Sequence, residues 1–226
     1  MRHTGRLETL ALSLLLALGA SRAAAADALK DELRRYVETH GSRRQVVQYA
    51  VVRSAAGFKV SSTSPSSTER GTWVRGTGLV SWEQVDAEAG NDLRASRTGN
   101  TIHVTGTLKG KPATRDIRVD PAPWYQIFGP ALLDLLPQEA QQAEFWVVNP
   151  DDLSAHKMQV RRAGLEDLKL GTGSIRAAKI HFSPAGALSP LWGADFWYRV
   201  ADGTWVYSRL PESGALTVST LEDLGT

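Results

Sequence analysis

Apolar and polar side chains alternate cleanly between residues 101 and 108. Ile102, Val104, Gly106 and Leu108 fall on one side, and Thr101, His103, Thr105 and Thr107 on the other. That period of two predicts a strand with one buried and one wet face. Runs rich in β-branched and aromatic residues repeat the signal at 45–54, 57–64, 72–85, 93–97 and 114–119. Gly99-Asn100 and Lys109-Gly110-Lys111 supply turns, so the stretch reads as a meander. The β signal resumes at 145–149, 155–162, 164–170 and 174–182. Asp202-Gly203 then predicts a two-residue hairpin turn between 194–200 and 204–210. Counting outward sets Val200 against Trp205, Tyr198 against Tyr207 and Phe196 against Arg209 on one face, with Asp195, Trp197 and Arg199 on the other.

Two stretches depart from that period. Asp27 can cap a helix whose apolar positions Leu29, Leu33, Tyr36 and Val37 recur at helical spacing and which Gly41 can end. Further on, Pro121, Pro123 and Pro130 interrupt the chain, yet Trp124, Ile127, Phe128, Leu132, Leu135 and Leu136 keep helical spacing. Two short helical turns are expected there, the second starting at Pro130 and stopping before Pro137. The Ser/Thr-rich run 61–68 reads as a loop. Residues 27–226 therefore read as a single, mainly β domain. It is expected to be a strongly curved antiparallel sheet, a half-barrel or open barrel, with an N-terminal helix and a short helical plug against its concave side.

The beginning of the chain changes the picture of charge and location. Arg2 and Arg6 precede an apolar run over 10–18 and the small residues Ala23, Ala24, Ala25 and Ala26. These are the parts of a cleavable export signal over residues 1–26, cut after Ala26, which implies a periplasmic protein. The run is shorter than the roughly 20 residues a bilayer span needs, and no comparable stretch follows, so the mature chain is expected to have no transmembrane segment. Removing Arg2, Arg6, Arg22 and Glu8 from 26 basic and 24 acidic residues leaves 23 of each. That balance argues against nucleic acid as a partner. With no cysteine anywhere, neither a disulfide framework nor a lipid-modified cysteine is available.

Candidate chemistry is sparse. His103, His156 and His181 lack ligand spacing, and Asp151-Asp152 before His156 reads as turn chemistry, so neither a metal nor another cofactor is expected. Gly171-Thr172-Gly173-Ser174 is followed by β-type sequence and reads as a turn, not a phosphate loop. Lys179, His181, Asp195 and Arg199 could form an acid–base or anion site, or a surface ion pair. Seven tryptophans crowd mainly into the second half. Trp124, Phe128, Trp146, Phe196, Tyr198, Trp205 and Tyr207 are the candidate lining of an apolar cavity, or else plain core.

The stretch 177–184, with Leu188-Ser189, Leu191-Trp192-Gly193-Ala194-Asp195-Phe196-Trp197-Tyr198-Arg199 and Ala201-Asp202-Gly203, resembles an exported bacterial domain-of-unknown-function family, DUF3108. The order of elements is also similar to the lipoprotein-carrier (Lol-type) half-barrel, and that resemblance implies shuttling or sensing of lipids and lipoproteins. This chain lacks the cysteine that anchors some relatives to a membrane. The leading expectation is non-enzymatic binding of a lipid or other apolar ligand in the cell envelope. A second is an interaction or sensor module that docks an envelope protein through an edge strand or an exposed Trp197. A third is a hydrolase using Asp195 or His181.

Overall fold

In the computed structural model the described residues are 32–126, 129–136, 140–186, 192–212 and 215–222. They form fourteen strands. The first eight are β1 Glu32–His40, β2 Arg43–Ser54, β3 Gly57–Thr63, β4 Ser67–Val74, β5 Gly78–Asp86, β6 Asn91–Thr98, β7 Thr101–Leu108 and β8 Lys111–Arg118. After a 3₁₀ turn at Leu132–Leu135 come β9 Gln142–Val148, β10 Ala155–Leu170, β11 Gly173–Pro184, β12 Ala194–Arg199, β13 Trp205–Glu212 and β14 Ala215–Leu221.

All fourteen lie in one sheet, in which sequence neighbours from β1 to β8 and from β9 to β14 pair successively, and β1 pairs with β14 to join the two halves. Each pairing is antiparallel. The strands at the two edges, β8 and β9, are consecutive in sequence, and Val119, Trp124, Tyr125 and residues 131–136 of the connection between them contribute buried side chains to the inside. Trp124 makes a parallel bridge to Trp146 of β9 while its carbonyl accepts from the N–H of Leu79 at the start of β5. Just beyond the C-terminal end of β9 the Asn91 amide donates to the Pro150 carbonyl and Arg115 to that of Asp152. Such contacts between opposite ends of one sheet require it to curl round.

Period two fixes the inward face. Ile102 and Val104 are fully buried, as their alternation predicted, and Tyr36, Val51, Val60, Trp82, Leu93, Ile180, Phe182 and Phe196 follow the same phase on their strands. Aromatic rings on this face form a nearly continuous circuit. Phe58 stacks on Trp73, Trp73 meets Tyr125 edge to face, and Tyr125 meets Phe145. The circuit goes on through Phe182, Phe196 and Trp205 to Tyr36 and Tyr49. Tyr125 is thus the link across the interior between β4 and β9.

Several expectations are corrected. Residues 32–40 are a strand, not the end of an N-terminal helix; Asp27 and Leu29 lie outside the described residues. Tyr36 is buried but Leu33 is 63% exposed, so the helical spacing of apolar residues had no single face to cover. Nine register pairs with β2 and five with β14 outweigh the local preference. Trp124 is extended rather than helical, Ile127 and Phe128 of the first expected turn lie outside the described residues, and the second turn forms as 3₁₀. The run 61–68 is the end of β3, a tight turn closed by the Ser64 N–H on the Ser67 carbonyl, and the start of β4. The stretch 72–85 contains two strands, and β10 runs on through 162–164 with a bulge. In the last hairpin Arg199 N–H donates to the Thr204 carbonyl, closing a four-residue loop, and β12 carries an irregularity at Trp197/Tyr198. The pairs are Phe196 with Ser208 and Trp197 with Tyr207. A slip of one residue sends Tyr207 to the outer face.

Candidate functional site

The interior divides into an apolar end and a polar end. At the apolar end Leu132, Leu135 and Leu136 are seated with Ala131 against the inward aromatics, each no more than 6% exposed. Polar contacts to the segment include the Tyr198 hydroxyl donating to the Gly129 carbonyl at 2.6 Å, Arg53 pairing with Asp134 at 3.0 Å, and Arg162 donating to the Leu136 carbonyl at 3.5 Å. The 3₁₀ turn has no side-chain cap at its start. Gly129 has a positive φ of 97°, and a β-carbon there would lie 2.6 Å from the Trp205 ring, so glycine is required for this approach. An opening of about 330 Å³ lies beside it, lined by Arg53, Phe58, Trp73 and Asp134.

At the opposite end the inward positions become polar. Across β12, β13, β14, β1 and β2 one row reads Phe196, Ser208, Ser219, Glu38, Gln45. Across β2 to β5 a second reads Tyr49, Ser62, Glu69, Gln84. The rows meet where Glu38 Oε1 accepts from the Tyr49 hydroxyl at 3.4 Å and from Ser219 Oγ at 3.1 Å. Glu69 accepts from the Trp82 indole N–H at 2.6 Å. Burial pushes the Glu69 carboxyl up to about 7, an effect the Trp82 hydrogen bond only partly offsets. Burial likewise pushes the Tyr49 hydroxyl well above its ordinary value, with the charges of Glu38 and Glu69 adding to it. A cavity of about 320 Å³ opens here, lined by Glu38, His40, Gln45, Ser64, Ser67 and Asp86 among others.

Of the candidate apolar lining, Trp124, Phe196, Tyr198 and Trp205 face inward and are at most 3% exposed. Trp146 is on the face opposite Phe145, donating to Asp120 at 2.7 Å with the Lys157 ammonium 5.9 Å from its ring. Tyr207 is also outside, 5.1 Å from Trp197. Phe128 lies outside the described residues.

Three of the four candidate polar residues meet on the outer face. Asp195 takes Lys179 at 2.9 Å and the His181 ring at 2.7 Å. Partial burial raises the Asp195 carboxyl, but these two hydrogen bonds outweigh it and hold it below the usual carboxylate range. Arg199 does not join them: it forms a two-pronged pair with Asp202 at 2.9 and 2.7 Å. That pairing draws the Asp202 carboxyl down to about 2. Trp197 is not the exposed docking residue expected; it is 4% exposed and its indole N–H donates to Glu166. Edge strand β8 carries Lys111, Pro112, Arg115 and Arg118, a composition that resists strand addition. Among the described residues no group of His, Cys, Asp and Glu has the arrangement of a metal site, and no helix is long and apolar enough to cross a membrane.

Sequence reasoning missed the polar end. The available signal was polar residues in the buried phase of strands: Glu69 two places from Gly71 and four from Trp73, and Gln84 two places from Trp82.

No protein-family model matches the chain, and no curated protein matches it. A solved structure does: the β-barrel-like protein of domain of unknown function DUF1849 from Brucella abortus, with a TM-score of 0.54 and 9% identity over 85% of this chain and 96% of that one. At that identity the likeness shows the fold alone. The chain has a mainly β, barrel-like fold, and no family model supports the expected resemblance to DUF3108.

Proposed function

We propose that this is a non-enzymatic binding protein of the cell envelope, exported to the periplasm and related to the DUF3108 proteins, which holds a lipid, an acyl chain or another apolar ligand between the inward aromatic face and the short plug. The observation that carries the reading is the plug itself. Leu132 and Leu135 of a 3₁₀ turn with no side-chain cap at its start, and Leu136 just after it, fill the apolar end, the place and the chemistry an acyl chain would take. A four-residue turn gives up few backbone hydrogen bonds on moving aside, and the aromatic surface beneath it would supply roughly 25 cal/mol per Å² of apolar area covered, before the costs of binding.

Titration of the folded mature chain with dodecanoate, read by tryptophan emission, tests this. Saturable binding with a change in emission is expected because Trp124 and Trp205 are buried inward. Leu135→Trp, which adds bulk where the chain would lie, is expected to weaken uptake. Unaltered emission, with dodecanoate left free in equilibrium dialysis, would contradict the proposal.

A further inference from the structure

The free edges of the sheet are not alike. Strand β8 carries Lys111, Pro112, Arg115 and Arg118. Strand β9 is covered on its free side: the Trp146 N–H donates to the Pro123 carbonyl, the Tyr125 N–H to that of Trp146, and the Gln126 side-chain amide bonds both to the Val148 carbonyl and from its N–H. Strand β10, however, outruns its neighbour. Its pairing with β9 stops at Arg161 opposite Gln142, just before the Arg162 N–H reaches the Gln141 carbonyl. Beyond the bulge, residues 164–170 run on against β11 as far as Leu170 opposite Gly173. Among the described residues no strand pairs with the β9 side of 164–170. An open backbone edge of this kind is a template for another strand.

Period two sorts the side chains of this overhang. Glu166, Leu168 and Leu170 share one face, where Glu166 accepts from the Trp197 indole and both leucines are half-buried. Leu165, Asp167 and Lys169 share the other, and all three are exposed. Asp167 has a pair with Arg176 at 3.4 Å, in which both side chains are more than half exposed. The free charges are thus of opposite sign and two places apart. In a two-fold contact residue i meets j and j meets i. An antiparallel pairing of two overhangs centred on Glu166, Asp167 or Lys169 sets a charge directly against its own kind, which is unfavourable. Centred on Leu168, the pairing sets Asp167 of each copy against Lys169 of the other, and leucine against leucine. A slip of one residue in either direction loses both pairs.

We propose that two copies of this chain join edge to edge along residues 164–170, antiparallel about Leu168, so that one sheet continues across the dimer. Backbone hydrogen bonds along the overhang supply the attraction, and the two Asp167–Lys169 contacts fix the register. Leu165, 58% exposed in the single chain, lies on the same face as these contacts and is covered by the partner's hairpin. The contact uses none of the inward aromatics, so it does not depend on ligand binding.

Sedimentation velocity of the mature chain over a range of concentrations, beside Asp167→Lys and Lys169→Asp, tests the assignment. Wild type is expected to pass from monomer to dimer as concentration rises. Each variant alone sets like charges opposite one another at both contacts and is expected to weaken the dimer at least about tenfold, with an unchanged circular dichroism spectrum. An equimolar mixture of the two variants puts opposite charges back at both contacts and is expected to dimerise as wild type does. That rescue separates the contact from the Asp167–Arg176 pair within one chain, which mixing cannot restore. Should one variant fail to fold, weakening in the other carries the test. A wild type that stays monomeric at every concentration, undiminished association of either folded variant, or a mixture that associates no better than its parts would overturn the proposal. Loss of dodecanoate binding would not touch it.

Discussion

Glu69 accepts a hydrogen bond from the indole of Trp82 inside the curled sheet, and it is the carboxyl group whose protonation most clearly couples to folding. Its folded value of about 7 lies above the ordinary 4.5. The folded state therefore holds a proton that the unfolded chain has released between those values. This contribution is fully present below the unfolded value and is lost as pH rises through about 7. Tm is expected to be lower at pH 8 than at pH 5.5 by roughly 5 °C from this group. Glu69→Gln should remove that difference, and thermal melts of the two proteins at both pH values measure it.

Tyr125 joins the two halves of the sheet through Trp73 and Phe145. Tyr125→Ala is expected to cost about 3–5 kcal/mol, because it opens a cavity and breaks the aromatic circuit. Tyr125→Phe keeps the rings in contact and is expected to cost far less. Denaturant unfolding of both variants separates packing from the hydroxyl.

The Tyr198 hydroxyl fastens the plug through the Gly129 carbonyl. Tyr198→Phe is expected to cost about 1 kcal/mol and to speed amide exchange at 131–136 more than elsewhere. Gly129→Ala is expected to be the worse of the two, since a β-carbon meets the Trp205 ring and φ is positive. Hydrogen-exchange mass spectrometry resolves the local effect from a global one.

On the outer face, Asp195→Asn releases Lys179 and His181. The group is partly exposed, so the loss is expected to be about 1 kcal/mol or less at neutral pH. Because its carboxyl is held below the ordinary value, that contribution fades as pH falls through the acid range. Melts of wild type and Asp195→Asn should converge toward low pH, and a difference that grows there would contradict the pairing.

How far the sequence disclosed this architecture can be followed residue by residue. Ile102 and Val104 were legible because their strand alternates without interruption and pairs in register on both sides. The last hairpin was legible as a hairpin but not in its register. Asp202-Gly203 signals a turn, yet the loop closes between Arg199 and Thr204, and the irregularity at Trp197/Tyr198 shifts every later pair. One residue of slip was enough to place Tyr207 outside. Strand β1 was hidden because Tyr36 and Val37 fit a helix as well as a strand, and its partners are β2 and the distant β14, at Thr217 to Leu221. The polar end was hidden for the same reason of distance: Glu38 and Ser219 meet only after β1 has paired with β14.

The most direct test of the central claim is native mass spectrometry of the mature protein purified gently from its own envelope, before and after solvent extraction. The account predicts a lipid-sized mass that travels with the folded protein and is lost on extraction. A clean ligand-free mass from well-folded protein, with nothing recovered in the extract, would contradict it.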